Sequence, residues 1–118
     1  MNIETYRNYC IAKKEVTESF PFPNLPNVLV FKVGGKMFTA TDVTSFETIS
    51  IRCDSKKVDE MRAKYPSVIK PGYFSERYWS WVVMDNSVSD KQVLEWIDNS
   101  YQLAVAKLTR KTKLELNL

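Results

Sequence analysis

The chain reads as an α+β fold, a mainly antiparallel sheet with flanking N-terminal, middle and C-terminal helices. Three observations predict it. A Gly34-Gly35 pair separates two runs rich in β-branched and aromatic residues, 28–33 and 36–41, which marks a tight hairpin because its turn needs positive φ. Segments 48–53 and 78–84 also have strand character, and tight turns rather than helical crossovers join the strands. Val93, Ile97, Tyr101, Ala104 and Leu108 lie on one helical stripe, which predicts a last helix over about 90–107. A length of 118 residues suits one domain, 1–118, with a basic C-terminal tail from about 107.

Each element has a local cause. Ile3, Tyr6, Cys10 and Ile11 recur at helical spacing behind Asn2, a good N-cap, with Glu4 in the first turn, so a helix is predicted over 2–14. Phe20-Pro21-Phe22-Pro23 and Pro26 forbid regular structure, and their two phenylalanines imply an ordered loop. A two-residue hairpin loop pairs Val33 with Lys36 and Phe31 with Phe38. It puts Leu29, Phe31, Phe38 and Ala40 on the core face, and Val28, Val30, Lys32, Met37 and Thr39 on the other. After the third strand, Asp54 is the expected N-cap of a helix with Val58, Met61 and Tyr65 inward, closed by Pro66. A short strand at 68–70 precedes the Pro71-Gly72 turn. In strand 78–84, Trp79 and Trp81 share one face, with Tyr78, Ser80 and Val82 on the other. Ser89 and Gln92 form a capping-box pair at the start of the last helix.

Composition excludes several function classes. There is no histidine, so Ser–His–Asp and Cys–His catalysis and imidazole-ligated metals are ruled out. Three glycines build neither a phosphate-cradling loop nor a dinucleotide fingerprint. Cys10 and Cys53 form no CxxC pair and read as reduced, buried thiols of a cytoplasmic chain. No apolar run is of membrane length, and Met1-Asn2-Ile3-Glu4, with its early acid, predicts no secretory signal. Of the net charge of +3, all resides in residues 107–118, where Lys107, Arg110, Lys111 and Lys113 face only Glu115. The rest of the chain is neutral. That tail is either a nucleic-acid footprint or a helix end whose cations suit the dipole.

Few residues suggest chemistry. Asp59 and Glu60 are adjacent on a helix and point apart, so they cannot share a proton. Cys53 precedes a predicted helix beside Lys56 and Lys57, a setting that favours a thiolate, but a small apolar strand end is the simpler reading. Tyr73, Phe74, Tyr78, Trp79 and Trp81 put five aromatics into eleven residues beside Arg77 and Lys70. Such a cluster is either core or a platform for bases or a partner. Lys32 and Lys36 flank the hairpin tip, where a wing could touch phosphates.

Glu18-Ser19-Phe20-Pro21-Phe22, Val30-Phe31-Lys32-Val33-Gly34-Gly35-Lys36-Met37-Phe38 and Arg52-Cys53-Asp54 occur in order along the chain. Tyr65-Pro66-Ser67-Val68-Ile69, Pro71-Gly72-Tyr73, Trp79 and Ser100-Tyr101 complete the series. Together they resemble the MmcQ/YjbR family of small bacterial proteins. The resemblance implies a fold similar to CyaY, the bacterial frataxin, and DNA binding through a double wing of β-hairpins. Family members often carry histidine where Phe74 and Tyr78 stand here, so no imidazole role carries over. Frataxin-like iron binding also fits poorly, because Glu4, Glu15 and Glu18 are diluted by Arg7, Lys13 and Lys14. The reading is a non-enzymatic protein without cofactor or metal that binds DNA weakly and largely without regard to sequence. Lys32, Lys36, Arg52, Lys56, Lys57, Lys70, Tyr73 and Arg77 are its candidate contacts. The alternative is a protein- or small-ligand-binding module with an aromatic groove around Tyr73, Phe74, Trp79 and Trp81.

Overall fold

The computed structural model describes residues 1–118. In chain order the elements are α1 (Ile3–Ile11), β1 (Val16–Ser19), β2 (Val28–Val33), β3 (Lys36–Asp42) and β4 (Thr48–Arg52), then α2 (Val58–Lys64), β5 (Val68–Ile69), β6 (Trp79–Val83), α3 (Asp90–Ala106) and α4 (Arg110–Leu116). The strands form one sheet in the order β1-β2-β3-β4-β6-β5, antiparallel throughout. No helix is long and apolar enough to cross a membrane.

Strand alternation gives the sheet two faces, and α1 and α3 cover only one of them. On this inner face Leu29, Phe31, Phe38, Ile49, Ile51 and Val82 meet Tyr6 and Cys10 of α1 and Val93, Ile97, Tyr101 and Ala104 of α3 in one core. Tyr6 packs edge-on against Phe31 and its hydroxyl bonds Thr39 Oγ1 at 2.8 Å. Phe38 meets Tyr101 in the same edge-on manner. The Ser89 hydroxyl accepts from the Gln92 amide, as the capping-box spacing requires.

Four local features differ from the sequence reading. First, α1 ends at Ile11, and Glu15, at φ 60°, turns the chain into β1. That four-residue strand is too short to show a period of its own, and its pairing with β2 defines it. Second, Val33 faces Lys36 across Gly34 and Gly35 as expected, but Phe31 lies opposite Thr39 rather than Phe38. Phe38 is the extra residue of a β-bulge. The bulge sends Phe38 and Thr39 both inward, one to Tyr101 and the other to the Tyr6 hydroxyl, and moves Ala40 to the outer face with Val28 and Val30. Third, Asp54 caps the turn before α2 rather than α2 itself. Its carboxylate accepts from the Lys56 amide, and its carbonyl from the Lys57 and Val58 amides. Lys57 occupies the N-cap position without a side-chain bond. Fourth, the basic tail is a helix, α4, whose N-cap Thr109 accepts from the Thr112 amide at 3.1 Å.

The bulge leaves a gap in the sheet, and α3 closes it. The β3–β4 pairing stops at Thr39 opposite Ile51. Just beyond it the buried Ser100 hydroxyl accepts from the Arg52 amide at 2.7 Å and donates to the Phe38 carbonyl. One helix side chain thus satisfies a donor on one strand and an acceptor on its neighbour, both of which burial would otherwise penalise.

The outer face has no helix. Val30, Ala40, Ser50 and Trp81 lie side by side across it. The segment 70–78 folds back over them, with Tyr73 packed on the Val28–Val30–Ala40 cluster and edge-on to Trp81. A Cβ at Gly72 would come within 2.6 Å of the Trp81 ring, so only glycine lets the loop lie this close. Arg62 of α2 pins the same loop from the helical side. Its guanidinium donates to Ser80 Oγ at 3.1 Å and to the carbonyls of Glu76 and Trp79 at 2.5 and 2.6 Å.

Candidate nucleic-acid interface

The hairpin tip is not a free wing. An added Cβ at Gly34 would lie 2.7 and 2.8 Å from the Leu108 methyls and 3.3 Å from Leu116 Cδ1, so the turn backbone is packed against the start and end of the C-terminal segment. Leu108 is buried there, and Lys14 Nζ donates to the Asn117 carbonyl. The apolar side of the tail therefore seals the hairpin, which brings its charges to the same end of the molecule as Lys36. Lys36, Lys107 and Arg110 are exposed, and Lys32 and Lys113 are half-buried. None of these five has a carboxylate within ion-pair distance, whereas Lys111 pairs with Glu115 at 4.0 Å. Sequence reasoning found the tail's charge but not its docking, because leucines at 108 and 116 mean little until Gly34 is opposite them.

Two of the eight candidate contacts are committed to the fold. Arg52 donates from Nε to the Met37 carbonyl at 2.7 Å and stacks 4.9 Å from the Trp79 ring centroid. Partial burial lowers its pKa, although a guanidinium stays charged at any physiological pH. Tyr73 lies between Phe74 and Trp81, and burial raises the pKa of its hydroxyl, with Asp42 adding to the shift. These two residues organise the outer face rather than reach from it.

The remaining cations fall into a second region at the β4–α2 junction and the 70–78 loop. Lys70 and Arg77 meet Arg62, Asp59 and Glu76 around one shallow polar depression. Lys70 is 3.9 Å from Glu76. Lys56 and Lys57 are exposed beside Asp54 and close to Glu60. Acids interleave these positions, so the local field is far weaker than at the hairpin end. The aromatic cluster is filled by its own rings. Phe74 packs on Phe22, Tyr73 and Trp79 with centroids 4.7–6.0 Å apart, and Trp79 is only 6% exposed. The concave surfaces of the protein lie elsewhere, around Arg52, Cys53, Asp54 and Ser55.

Nothing in this set resembles an activated nucleophile. Burial pushes the Cys53 thiol up, and near-complete burial pushes Cys10 up much further. No group of three or more carboxylates and thiols converges on a common point.

Fold and surface thus define a small α+β protein, a six-stranded antiparallel sheet helical on one face and closed by an aromatic loop on the other, with a cationic end. The chain belongs to the YjbR family, whose profile matches residues 11–103. It is 28% identical to the uncharacterized protein YjbR of Escherichia coli K12 over 120 residues, all of both chains. It is 29% identical to the uncharacterized protein YbdF of E. coli O157:H7 over 110 residues, 92% of this chain and 88% of that one. The Deinococcus radiodurans protein DR2400, a DUF419 domain, superposes with a TM-score of 0.91 at 28% identity over 99% of this chain and 88% of its own. A Pseudomonas syringae protein at 19% identity shares the fold, with a TM-score of 0.75 over 88% of this chain and 99% of its own.

Proposed function

We propose that this protein binds the phosphate backbone of DNA, weakly and without reading sequence, through one cationic end rather than two free wings. The observation that carries the reading is the packing of Leu108 and Leu116 on Gly34, which joins the tail's cations to Lys36 on one surface. A hairpin and a helix end that present unpaired lysines and an arginine suit phosphate contacts, which position a protein but specify no bases. The double-wing, CyaY-like reading is kept in modified form: the first hairpin serves with α4 as its support. The Lys56–Lys57 and Lys70–Arg77 region adds little because of Asp54, Asp59, Glu60 and Glu76. The compartment this reading requires is the cytoplasm.

The test is fluorescence anisotropy of a labelled duplex at two salt concentrations. Expected is binding that weakens steeply with salt. Lys36→Ala/Arg110→Ala/Lys113→Ala should cut affinity and make the log–log salt slope shallower by about 2–3, close to one per lost phosphate contact. Lys70→Ala/Arg77→Ala should change both little. Absence of binding at about 50 mM salt refutes the reading. So does an equal response to both sets of substitutions.

A further inference from the structure

One concavity of the molecule plays no part in the reading above. It is a cleft of about 300 Å³ between α2 and α3 over the end of β4, at the small end of the range for organic ligands. Its floor is Ile51, Cys53 and Met61, with Tyr65 and Trp96 as an edge-on aromatic wall, centroids 4.9 Å apart. The Cys53 thiol donates to the Ile51 carbonyl at 3.7 Å, and burial raises its pKa, so the floor is uncharged at neutral pH. The rim has another character. Lys57, Glu60, Met61 and Lys64 follow each other at helical spacing, so one side of α2 presents cation, anion, floor and cation to the cleft. Asn99 of α3 closes the opposite side. Lys57, Glu60 and Lys64 have no ion-pair partner, and the Asn99 amide makes no hydrogen bond within the protein.

We propose that this cleft binds a small aromatic zwitterion, a free aromatic α-amino acid being the simplest case. The ring lies on the uncharged floor against Trp96. The ammonium faces Glu60, the carboxylate faces one of the lysines that flank Glu60 a turn away on α2, and Asn99 offers both donor and acceptor to the head group. Opposite charges side by side above an apolar floor fit such a ligand better than a polyanion, which Glu60 would repel. They also fit it better than a neutral hydrocarbon, which would leave the rim unused. The site is independent of the cationic end, and its failure would leave the DNA reading untouched.

The probe is L-phenylalanine, titrated into isotopically labelled protein and followed by amide and indole chemical shifts. Expected is a saturable response confined to residues 51–54, Met61 and the Trp96 indole N–H. N-acetyl-phenylalanine lacks the cation and phenylalaninamide lacks the anion. Each should bind at least about tenfold more weakly, the worth of one charge-assisted contact. Glu60→Gln and Lys57→Gln/Lys64→Gln change exposed side chains, leave the fold intact and should reproduce the two losses separately. Phenylalaninamide also mimics a peptide's N-terminal residue, so equal binding of it would overturn the free-zwitterion assignment. The proposal is equally overturned by shifts outside the cleft, or by no saturation below about 10 mM.

Discussion

Ser100→Ala removes one oxygen and should cost far more than one hydrogen bond. In the native protein that oxygen serves the Arg52 amide at 2.7 Å and the Phe38 carbonyl, at a position with no solvent exposure. Alanine fits the space, so packing changes little and the loss is polar. Each buried group left unpaired costs about 1–3 kcal/mol, which gives roughly 2–4 kcal/mol for the two after some relaxation. Against a typical total of about 5–15 kcal/mol this is a large fraction. Urea denaturation followed by circular dichroism should show a lower midpoint at unchanged slope. Native-state hydrogen exchange should show the Arg52 amide losing protection ahead of its β4 neighbours. A loss under about 0.5 kcal/mol would mean that the two strands re-pair directly across the bulge, which would refute the argument.

Four more predictions rest on named contacts. Gly34→Ala and Gly35→Ala both place a side chain at positive φ, costing about 1 kcal/mol each, but only the first meets Leu108 and Leu116. Gly34→Ala alone should therefore speed amide exchange in α4 and weaken salt-dependent DNA binding; equal effects would contradict the docking of α4. Burial holds both thiols above their ordinary values, while unfolded thiols ionise near pH 8.5, so the unfolded state releases protons that the native state keeps. The thiols' contribution to stability should thus be constant below about pH 8 and fall as pH rises beyond it. The fall should be reinforced by Tyr9, which its bond to Asp98 holds at about 12. A disulfide reagent should label neither cysteine until urea unfolds the chain, and rapid native labelling of Cys53 would contradict this. Trp81→Phe removes an indole N–H that is buried without an acceptor, so a thermal melt should show a change within about 1 kcal/mol, well below the usual 3–5 for losing a large aromatic.

Legibility in the sequence followed the range of the interaction. The α3 stripe, the Ser89 cap, the Gly-Gly turn and the two faces of β6 depend on neighbours within a few residues, and spacing revealed them. β1 and the bulge did not show, because both are defined by a partner strand. The register slips at Phe38 because Tyr6 and Tyr101, 32 and 63 positions away, each claim an inward residue. Arg62 drew no notice as one cation among many, since its three acceptors lie 14–18 positions along the chain. Ser100 stood out only within a family resemblance, with nothing local to explain it. At the candidate site the hairpin lysines were legible, but the partners that occupy Arg52 and Tyr73, and the leucines that bring the tail to the tip, required the fold.

Arg52 touches more of this molecule than its place in the chain suggests. It lines the α2–α3 cleft and its amide is held by α3, while its guanidinium rests on Trp79 and bonds the carbonyl next to Phe38, in the strand that leaves the hairpin tip. Strand β4, strand β3 and helix α3 therefore meet at one residue. One residue thus works as a keystone, tying sheet, helix and aromatic loop together while the surfaces around it stay separate.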